Sequence, residues 1–171
     1  MRLFRARTGV FVALALAVPS LTLLTGSSAS VASSTTEHRH VVLIPQADKF
    51  VPYHLTIEVG DTVTWVNNDT DDHTIVSDDA FNTEGHHGLD HLLLGTDHNG
   101  GKPGVFKLRF DHPGTFVYYC RFHAHLDADS QPVAPGPKGG IQDAHGNFGT
   151  PMNGIISVTD SHNHERDDHG D

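Results

Sequence analysis

The sequence predicts an all-β protein built as an antiparallel β-sandwich, and three features of the 171-residue chain carry this prediction. About seven short segments alternate apolar and polar residues, which is the pattern of strands with one buried face. Turn signals rich in Gly, Pro, Asn and Asp separate these segments. Two longer stretches, residues 78–103 and 127–151, do not follow this rhythm and are predicted to be long loop insertions.

The predicted strands follow one another from residue 40 onwards. They are HVVLIP (40–45), YHLTIEVG (53–60), DTVTWVNND (61–69), HTIVS (73–77), GVFKLRF (104–110), TFVYYC (115–120) and NGIISVTD (153–160). Trp65 falls on the apolar face of the third segment, so we expect its ring to be buried between two sheets. Within the first insertion, HHGLDHLLLG could form a turn or two of helix.

The N-terminus predicts export from the cytoplasm. Arg2, Arg5 and Arg7 precede an apolar run, and small residues follow up to a predicted cleavage point after Ala32. This layout is typical of a secretory signal peptide, and Pro19 within the apolar run argues against a retained membrane anchor. We therefore predict a secreted or extracytoplasmic protein, in the periplasm or at the cell exterior, without stable membrane insertion after the signal is removed.

The predicted organisation has four parts: a signal peptide (1–32), a flexible leader (33–40), one compact domain (41–160) and a His- and Asp-rich disordered tail (161–171). Without the signal, the chain would hold 8 basic and 21 acidic residues, a formal charge of −13. This charge argues against nucleic acid and anionic membranes as partners and favours a partner protein with a basic docking surface. A single cysteine forms no internal disulfide, so the core or a metal must stabilise the fold.

The only cysteine, Cys120 in FVYYCRFHAHL, is accompanied by other potential metal ligands. His73 begins one predicted strand, Cys120 ends another, His123 and His125 follow it, and Met152 precedes the last strand. One thiolate, two imidazoles and a thioether form a set that zinc seldom uses and that is typical of a type 1, or blue, copper centre. The pattern therefore predicts one copper ion, alternating between Cu(I) and Cu(II).

Three stretches of the chain resemble the cupredoxin family, which includes plastocyanin, amicyanin and azurin. They are VGDTVTWVNND with the following DHTIVS, then HPGTFVYYCRFH, and finally PMNGIISV. The resemblance covers roughly residues 41–160 and implies a Greek-key β-sandwich that shuttles electrons. It also implies a ligand set of two histidines and the cysteine in one plane with a weak axial methionine, namely His73, Cys120, His123 and Met152.

The chain departs from the family in the spacing of two ligands. CRFHAH contains both spacings that the family uses, so His125 is an alternative to His123, which the commoner spacing favours. The axial methionine normally follows closely, but here Leu126 takes the near position and Met152 comes only after the 127–151 insertion. The M-x-G lead into the last strand predicts that the insertion returns the chain to the site. Otherwise the axial position would be empty or filled by another group.

Other histidines carry weaker signals. If HHGLDH were helical, His87 and His91 would share a face and could chelate an ion, but Gly88 weakens the helix. We therefore expect a solvated loop around His86, His87 and His91. The histidines of the tail could collect copper or zinc weakly.

These observations predict a secreted mononuclear copper protein that carries one electron at a time. A copper-binding or delivery module without fast electron transfer is the alternative, favoured by the spare histidine and the His-rich tail. We expect no enzyme, because a Cys120–histidine nucleophilic pair would need an oxyanion hole, for which the surrounding sequence offers no context. Redox chemistry on a small molecule at an open copper position is a further alternative.

Overall fold

The computed structural model describes residues 38–77 and 88–160, and the regular secondary structure within these ranges consists of β-strands. In chain order they are β1 (Arg39–Ile44), β2 (His54–Glu58), β3 (Thr62–Asn67), β4 (His73–Ser77), β5 (Leu89–Leu93), β6 (Gly104–Arg109), β7 (Gly114–Tyr119), β8 (His125–Leu126), β9 (Pro132–Val133) and β10 (Asn153–Thr159). The all-β prediction is confirmed. The predicted signal peptide, the leader up to residue 37 and the tail lie outside the described residues. In the described ranges, no helix is long and apolar enough to cross a membrane.

The strands form two main sheets and one short ladder. The first sheet has the order β1–β3–β6, the second has the order β2–β10–β7–β4–β5, and β8 pairs with β9. The pairs β1–β3 and β2–β10 are parallel, so the sandwich is mixed, whereas the sequence predicted antiparallel pairing. Alternation along a strand indicates which face is buried, but it carries no information about the direction of the neighbouring strand.

The core lies between the two main sheets and is centred on Trp65, as predicted. The indole is fully buried. Its ring centroid lies 5.6 Å from that of Phe106 and 6.5 Å from that of Phe110, on the side of the first sheet. Phe116 and Tyr118 of β7, in the second sheet, lie 6.4 and 5.4 Å away. Because large aromatic side chains bury the most apolar area per residue, this cluster is the main contact that joins the sheets.

β5 lies within residues 78–103, which the sequence predicted to be a long loop with at most a turn or two of helix. Leu89–Leu93 instead pairs antiparallel with β4. His91 therefore lies on a strand, where its ring stacks on Phe106 at a centroid distance of 4.1 Å, and it does not lie on a helical face. His86 and His87 lie outside the described residues. An edge strand forms because its backbone pairs with a neighbouring strand. A short segment rich in Gly, Asp and His therefore shows no local pattern that predicts a strand.

The 127–151 insertion contains structure that the sequence did not predict. It holds β9, whose pairing with β8 closes a short ladder at the start of the insertion. Further along, Ile141 forms a backbone bridge with Thr150. The Ile141 side chain is buried and belongs to the main hydrophobic cluster. The insertion is therefore anchored to the domain at both of its ends.

Asp61 joins β1 to the turn between β2 and β3. Its buried carboxylate accepts the backbone N–H groups of His38 (2.9 Å) and Glu58 (3.0 Å) and lies 2.9 Å from Nε2 of His40. Burial by itself would raise the pKa of Asp61, but the hydrogen bonds from Glu58, His40 and His38 outweigh it and hold the pKa below its ordinary value of 3.8. Because the folded-state pKa is the lower one, the ionised carboxylate stabilises the fold.

Replacing Asp61 with Asn is expected to lower the free energy of unfolding by about 1–3 kcal/mol at neutral pH, because the amide leaves buried N–H donors poorly paired. The stabilisation by Asp61 is present above the unfolded-state pKa of 3.8 and is lost as pH falls through the folded-state pKa. The difference between wild type and Asp61→Asn in denaturant unfolding should therefore shrink between neutral pH and about pH 3. A difference that stays constant over this range would contradict the assignment.

Candidate metal centre

Three of the predicted ligands converge on one point between β4 and the loop that follows β7. One ligand atom from each of His73, Cys120 and His123 lies within 4.8 Å of the other two. Sγ of Cys120 is 3.6 Å from Nδ1 of His73, and the ring centroids of the two histidines are 5.3 Å apart. Since His73 lies 47 positions before Cys120, tertiary packing brings these side chains together.

His73 is held in place by the loop between β3 and β4. Asn67, the last residue of β3, is fully buried. Its side-chain amide donates to the backbone oxygens of Asp71 (2.9 Å) and Leu93 (3.2 Å). Its side-chain oxygen accepts the backbone N–H of Asp69 at 3.0 Å. A single asparagine thus fixes the path of the loop that delivers His73 to the site.

Gly95 packs against the same loop from the connection between β5 and β6. A Cβ at this position would lie 2.1 Å from the backbone oxygen of Thr70, which no side chain permits. Next to it, Thr96 donates its backbone N–H to the backbone oxygen of Asp69 at 2.8 Å. The absence of a side chain at Gly95 therefore allows residues 95–96 to pack directly against the loop between β3 and β4.

Cys120 follows β7 directly and is fully buried. Its Sγ accepts the backbone N–H of Thr74 at 3.4 Å. Its own backbone N–H donates to the oxygen of Met152, and its oxygen accepts the N–H of His123, both at 3.0 Å. Three hydrogen bonds, one of them to the sulfur, therefore hold Cys120 in place. A thiol without solvent exposure is also unsuited to attack a substrate, which argues against a nucleophilic cysteine.

The surroundings of Cys120 favour the thiolate. Burial by itself raises the pKa of the thiol, but His123, His73 and the backbone N–H groups of Thr74 and Phe122 outweigh it, and the pKa falls to about 6. The adjacent sulfur in turn raises the pKa of His123, against the effect of its burial. A thiolate is the form of cysteine that binds metal ions, so the site is prepared for one.

The structure separates the two histidines that the sequence left as alternatives. His123 is half-buried and belongs to the convergent group, and its Nδ1 is buried. His125 is exposed and lies on β8, opposite Val133. Within the described part of the chain, only His123 of these two joins His73 and Cys120. The geometry therefore favours His123 as the second imidazole ligand.

Met152 returns to the site after the insertion. Its side chain is fully buried. Its backbone oxygen accepts the N–H of Cys120 at 3.0 Å, and its N–H donates to the oxygen of His123 at 3.4 Å. The residue before β10 is thus hydrogen-bonded to both Cys120 and His123, although 25 residues separate positions 126 and 152. Axial ligation by its thioether stays a prediction.

The donor set fits the metal that the resemblance implies. Nδ1 of His123 is buried, and no described residue gives it a hydrogen bond. A buried polar atom without a partner is rare in folded proteins and often marks the place of a ligand. A thiolate and imidazoles gathered at one point also suit both oxidation states of copper.

Two carboxylates near the site were not predicted from the sequence. Oδ1 of Asp48 and Oδ2 of Asp69 lie 3.4 and 3.6 Å from Nε2 of His73, on the side of the ring away from the sulfur. Asp69 stands four residues before His73, so the acidic run preceding this histidine was an available signal. Asp48 lies in the connection between β1 and β2, and nothing in its sequence context pointed to the site.

Comparison with known proteins gives one family. A family model described as copper-binding proteins of the plastocyanin/azurin family matches residues 43–128, which is half of the chain. A plastocyanin from Scenedesmus fuscus is 37% identical over 74 residues, which are 43% of this chain and 74% of that protein. Among solved structures, a reduced amicyanin variant and a Cu(I) amicyanin variant give TM-scores of 0.44 and 0.46, each at 21% identity over 71% of this chain and 82% of the other. The family match includes His73, Cys120 and His123 and ends before Met152.

Proposed function

Because the chain belongs to the plastocyanin/azurin family of copper-binding proteins, we propose that it is an exported mononuclear copper protein that transfers one electron at a time. Family membership confirms the cupredoxin resemblance and the predicted cofactor, copper. It also agrees with the prediction that the protein is an electron carrier and not an enzyme. Copper would be held by two imidazoles, a thiolate and a thioether, namely those of His73, His123, Cys120 and Met152.

The observation that carries this proposal is the buried convergence of His73, Cys120 and His123 on one point. Two of the three groups are fully buried, and backbone hydrogen bonds hold Cys120 in place. Donors fixed in this way have little freedom to rearrange. When bound there, copper would supply a one-electron couple between Cu(I) and Cu(II). The contribution of the chain is a donor set that stays the same in both oxidation states.

The N–H groups aimed at Cys120 have a second role in this proposal. The backbone amides of Thr74 and Phe122 both interact with the sulfur and favour its negative charge. A thiolate that is already hydrogen-bonded donates less charge to a metal, so these amides are expected to raise the reduction potential. They belong to the backbone, so most side-chain substitutions would leave them in place.

The edge of His123 is the proposed path for electrons. Phe122, between the two ligands of this loop, is 52% exposed and forms an apolar surface beside the half-buried His123. In the resembling proteins, the downstream histidine reaches such a surface and serves as the contact with the partner. The acidic chain is proposed to attract a partner with a basic docking surface, and this attraction would weaken as salt concentration rises.

Copper storage or delivery is the second candidate, because exposed His125 lies two residues after His123 and offers a handover ligand. Copper reconstitution of the purified chain followed by visible and EPR spectroscopy tests both functions. An intense thiolate-to-copper band with fast electron self-exchange is the expected result for a carrier. A weak spectrum and rapid loss of copper to a chelator would instead support delivery. No copper uptake would overturn both.

The export part of the proposal rests on the N-terminal pattern of arginines, apolar run and small residues. Expression of the full-length chain in a bacterial host with an export pathway should yield an extracytoplasmic product. Its N-terminus should lie near residue 33, as read by N-terminal sequencing or mass spectrometry. An uncleaved product in the cytoplasm would contradict export.

Paired substitutions should identify the second imidazole ligand. His123→Asn is expected to lower Cu(II) affinity by more than about 100-fold, since loss of a direct ligand exceeds the loss of an outer partner. His125→Asn, at an exposed position, should leave the visible spectrum and Cu(II) affinity nearly unchanged. Competition with a chelator of known affinity measures both variants. The opposite ranking would assign the site to His125.

A further inference from the structure

The ring of His73 is contacted on both of its nitrogens. Nδ1 faces the sulfur of Cys120, whereas Nε2 faces the carboxylates of Asp48 and Asp69 at 3.4 and 3.6 Å. The His73 side chain is fully buried, and no described residue completes a hydrogen bond to Nε2. A buried imidazole N–H normally requires an acceptor, and these two carboxylates face that nitrogen.

Asp69 is fixed in its orientation by its surroundings. It is only 5% exposed, and its Oδ1 accepts the backbone N–H of Thr70 at 2.7 Å. Its own N–H donates to Asn67, and its backbone oxygen accepts the N–H of Thr96. Oδ2, the oxygen not used by Thr70, is the one that faces Nε2 of His73. The loop therefore presents one carboxylate oxygen to the imidazole in a prearranged position.

Asp48 approaches the same nitrogen from a different part of the chain. It lies between β1 and β2 and has a φ of +50°, in the left-handed region that residues other than glycine seldom adopt. Backbone strain of this kind is often found where a side chain must reach a functional site. Here the strained residue places Oδ1 at 3.4 Å from Nε2 of His73. Two independent segments thus bring carboxylates to one buried imidazole nitrogen.

We propose that Asp69 and Asp48 are positioning residues for His73. Their carboxylates hold a proton on Nε2, which leaves Nδ1 as the nitrogen that can bind a metal beside the buried sulfur. A hydrogen bond from Nε2–H to a carboxylate also increases the electron donation from Nδ1 to a bound metal. Stronger donation favours Cu(II) over Cu(I). The effect on copper rests on the proposed function, whereas the position of the proton in the metal-free protein does not.

The proton position is tested first, in the metal-free chain, by ¹⁵N NMR of the histidine side chains. Wild-type His73 should carry a proton on Nε2, in slow exchange with solvent. This exchange should become at least about tenfold faster in Asp69→Asn and in the double variant with Asp48→Asn. Absence of a proton from Nε2 in the wild type, or unchanged exchange in both variants, would overturn the inference.

The effect on the metal is tested by the reduction potential of the copper-loaded chain. Asp69→Asn is expected to shift the ratio of Cu(I) to Cu(II) affinity about tenfold towards Cu(I), which raises a one-electron potential by about 59 mV. Asp71→Asn removes the same charge from an exposed position of the same loop and serves as the control. Asp69→Glu should restore part of the shift. Equal shifts of the reduction potential in Asp69→Asn and Asp71→Asn would mean that Asp69 acts only through its charge. This result would overturn the inference.

Partly exposed Asp48 provides a second variant if Asp69→Asn folds poorly. Asp48→Asn should change proton exchange and potential in the same directions, by a smaller factor. Titration with Zn²⁺ after copper loading adds one more outcome. A second equivalent that binds to the wild type and not to the double variant would make these carboxylates ligands of another cation, and it would overturn their assignment as positioning residues. If copper does not bind and the slowly exchanging proton on Nε2 is still found, the proposed function fails while the positioning of His73 stands.

Discussion

Replacing Cys120 with Ser is expected to abolish the intense visible band of the copper-loaded protein and to lower copper affinity by more than about 100-fold. The sulfur is fully buried, lies 3.6 Å from Nδ1 of His73 and is favoured as a thiolate. A serine hydroxyl does not ionise under these conditions and is a poor ligand for Cu(I). Visible absorption and competition with a copper chelator measure the two effects.

Thermal unfolding with and without copper separates loss of binding from loss of folding in Cys120→Ser. Copper that binds only the folded wild type should stabilise it by about 4 kcal/mol at a free concentration a thousand times Kd. The variant should show no such stabilisation. Its metal-free form should still unfold cooperatively, and its free energy of unfolding should be at most about 1–3 kcal/mol below that of metal-free wild type. A variant that keeps the visible band would refute Cys120 as a ligand.

Replacing Trp65 with Ala is expected to lower the free energy of unfolding by about 3–5 kcal/mol. The indole is fully buried and touches aromatic rings from both main sheets, so its removal leaves a cavity where the sheets meet. Because single domains are stable by only about 5–15 kcal/mol, this loss is a large share of the total. Denaturant unfolding of the metal-free protein measures it without a contribution from copper.

Val105→Ala is the matched control for Trp65→Ala. Val105 lies on β6, beside the core strand β3, but its side chain is 53% exposed. Its truncation should change the free energy of unfolding by no more than about 0.5 kcal/mol. Similar losses for the two variants would mean that stability does not depend on the aromatic cluster between the sheets.

Most strands of the fold could be predicted from local patterns. Leu108 and Phe110 alternate with polar residues around β6, and Trp65 does so in β3, so period-two alternation marked the buried faces correctly. Pairing direction and β5 were missed, because both depend on which strand lies alongside. The parallel pairs β1–β3 and β2–β10 join segments far apart in sequence, and no local pattern records such a partner.

The sequence by itself determined the kinds of ligand available: one thiol, imidazoles before and after it, and a thioether ahead of the last strand. It could not choose between His123 and His125, because both spacings are present. The fold separates them, since the turn after Cys120 directs His123 inward, while β8 takes His125 to the surface. Asp48 shows the same limit: only the packing of a distant loop brings its carboxylate beside His73. Side-chain chemistry is written residue by residue, whereas distances between remote residues arise only when the sheets pack.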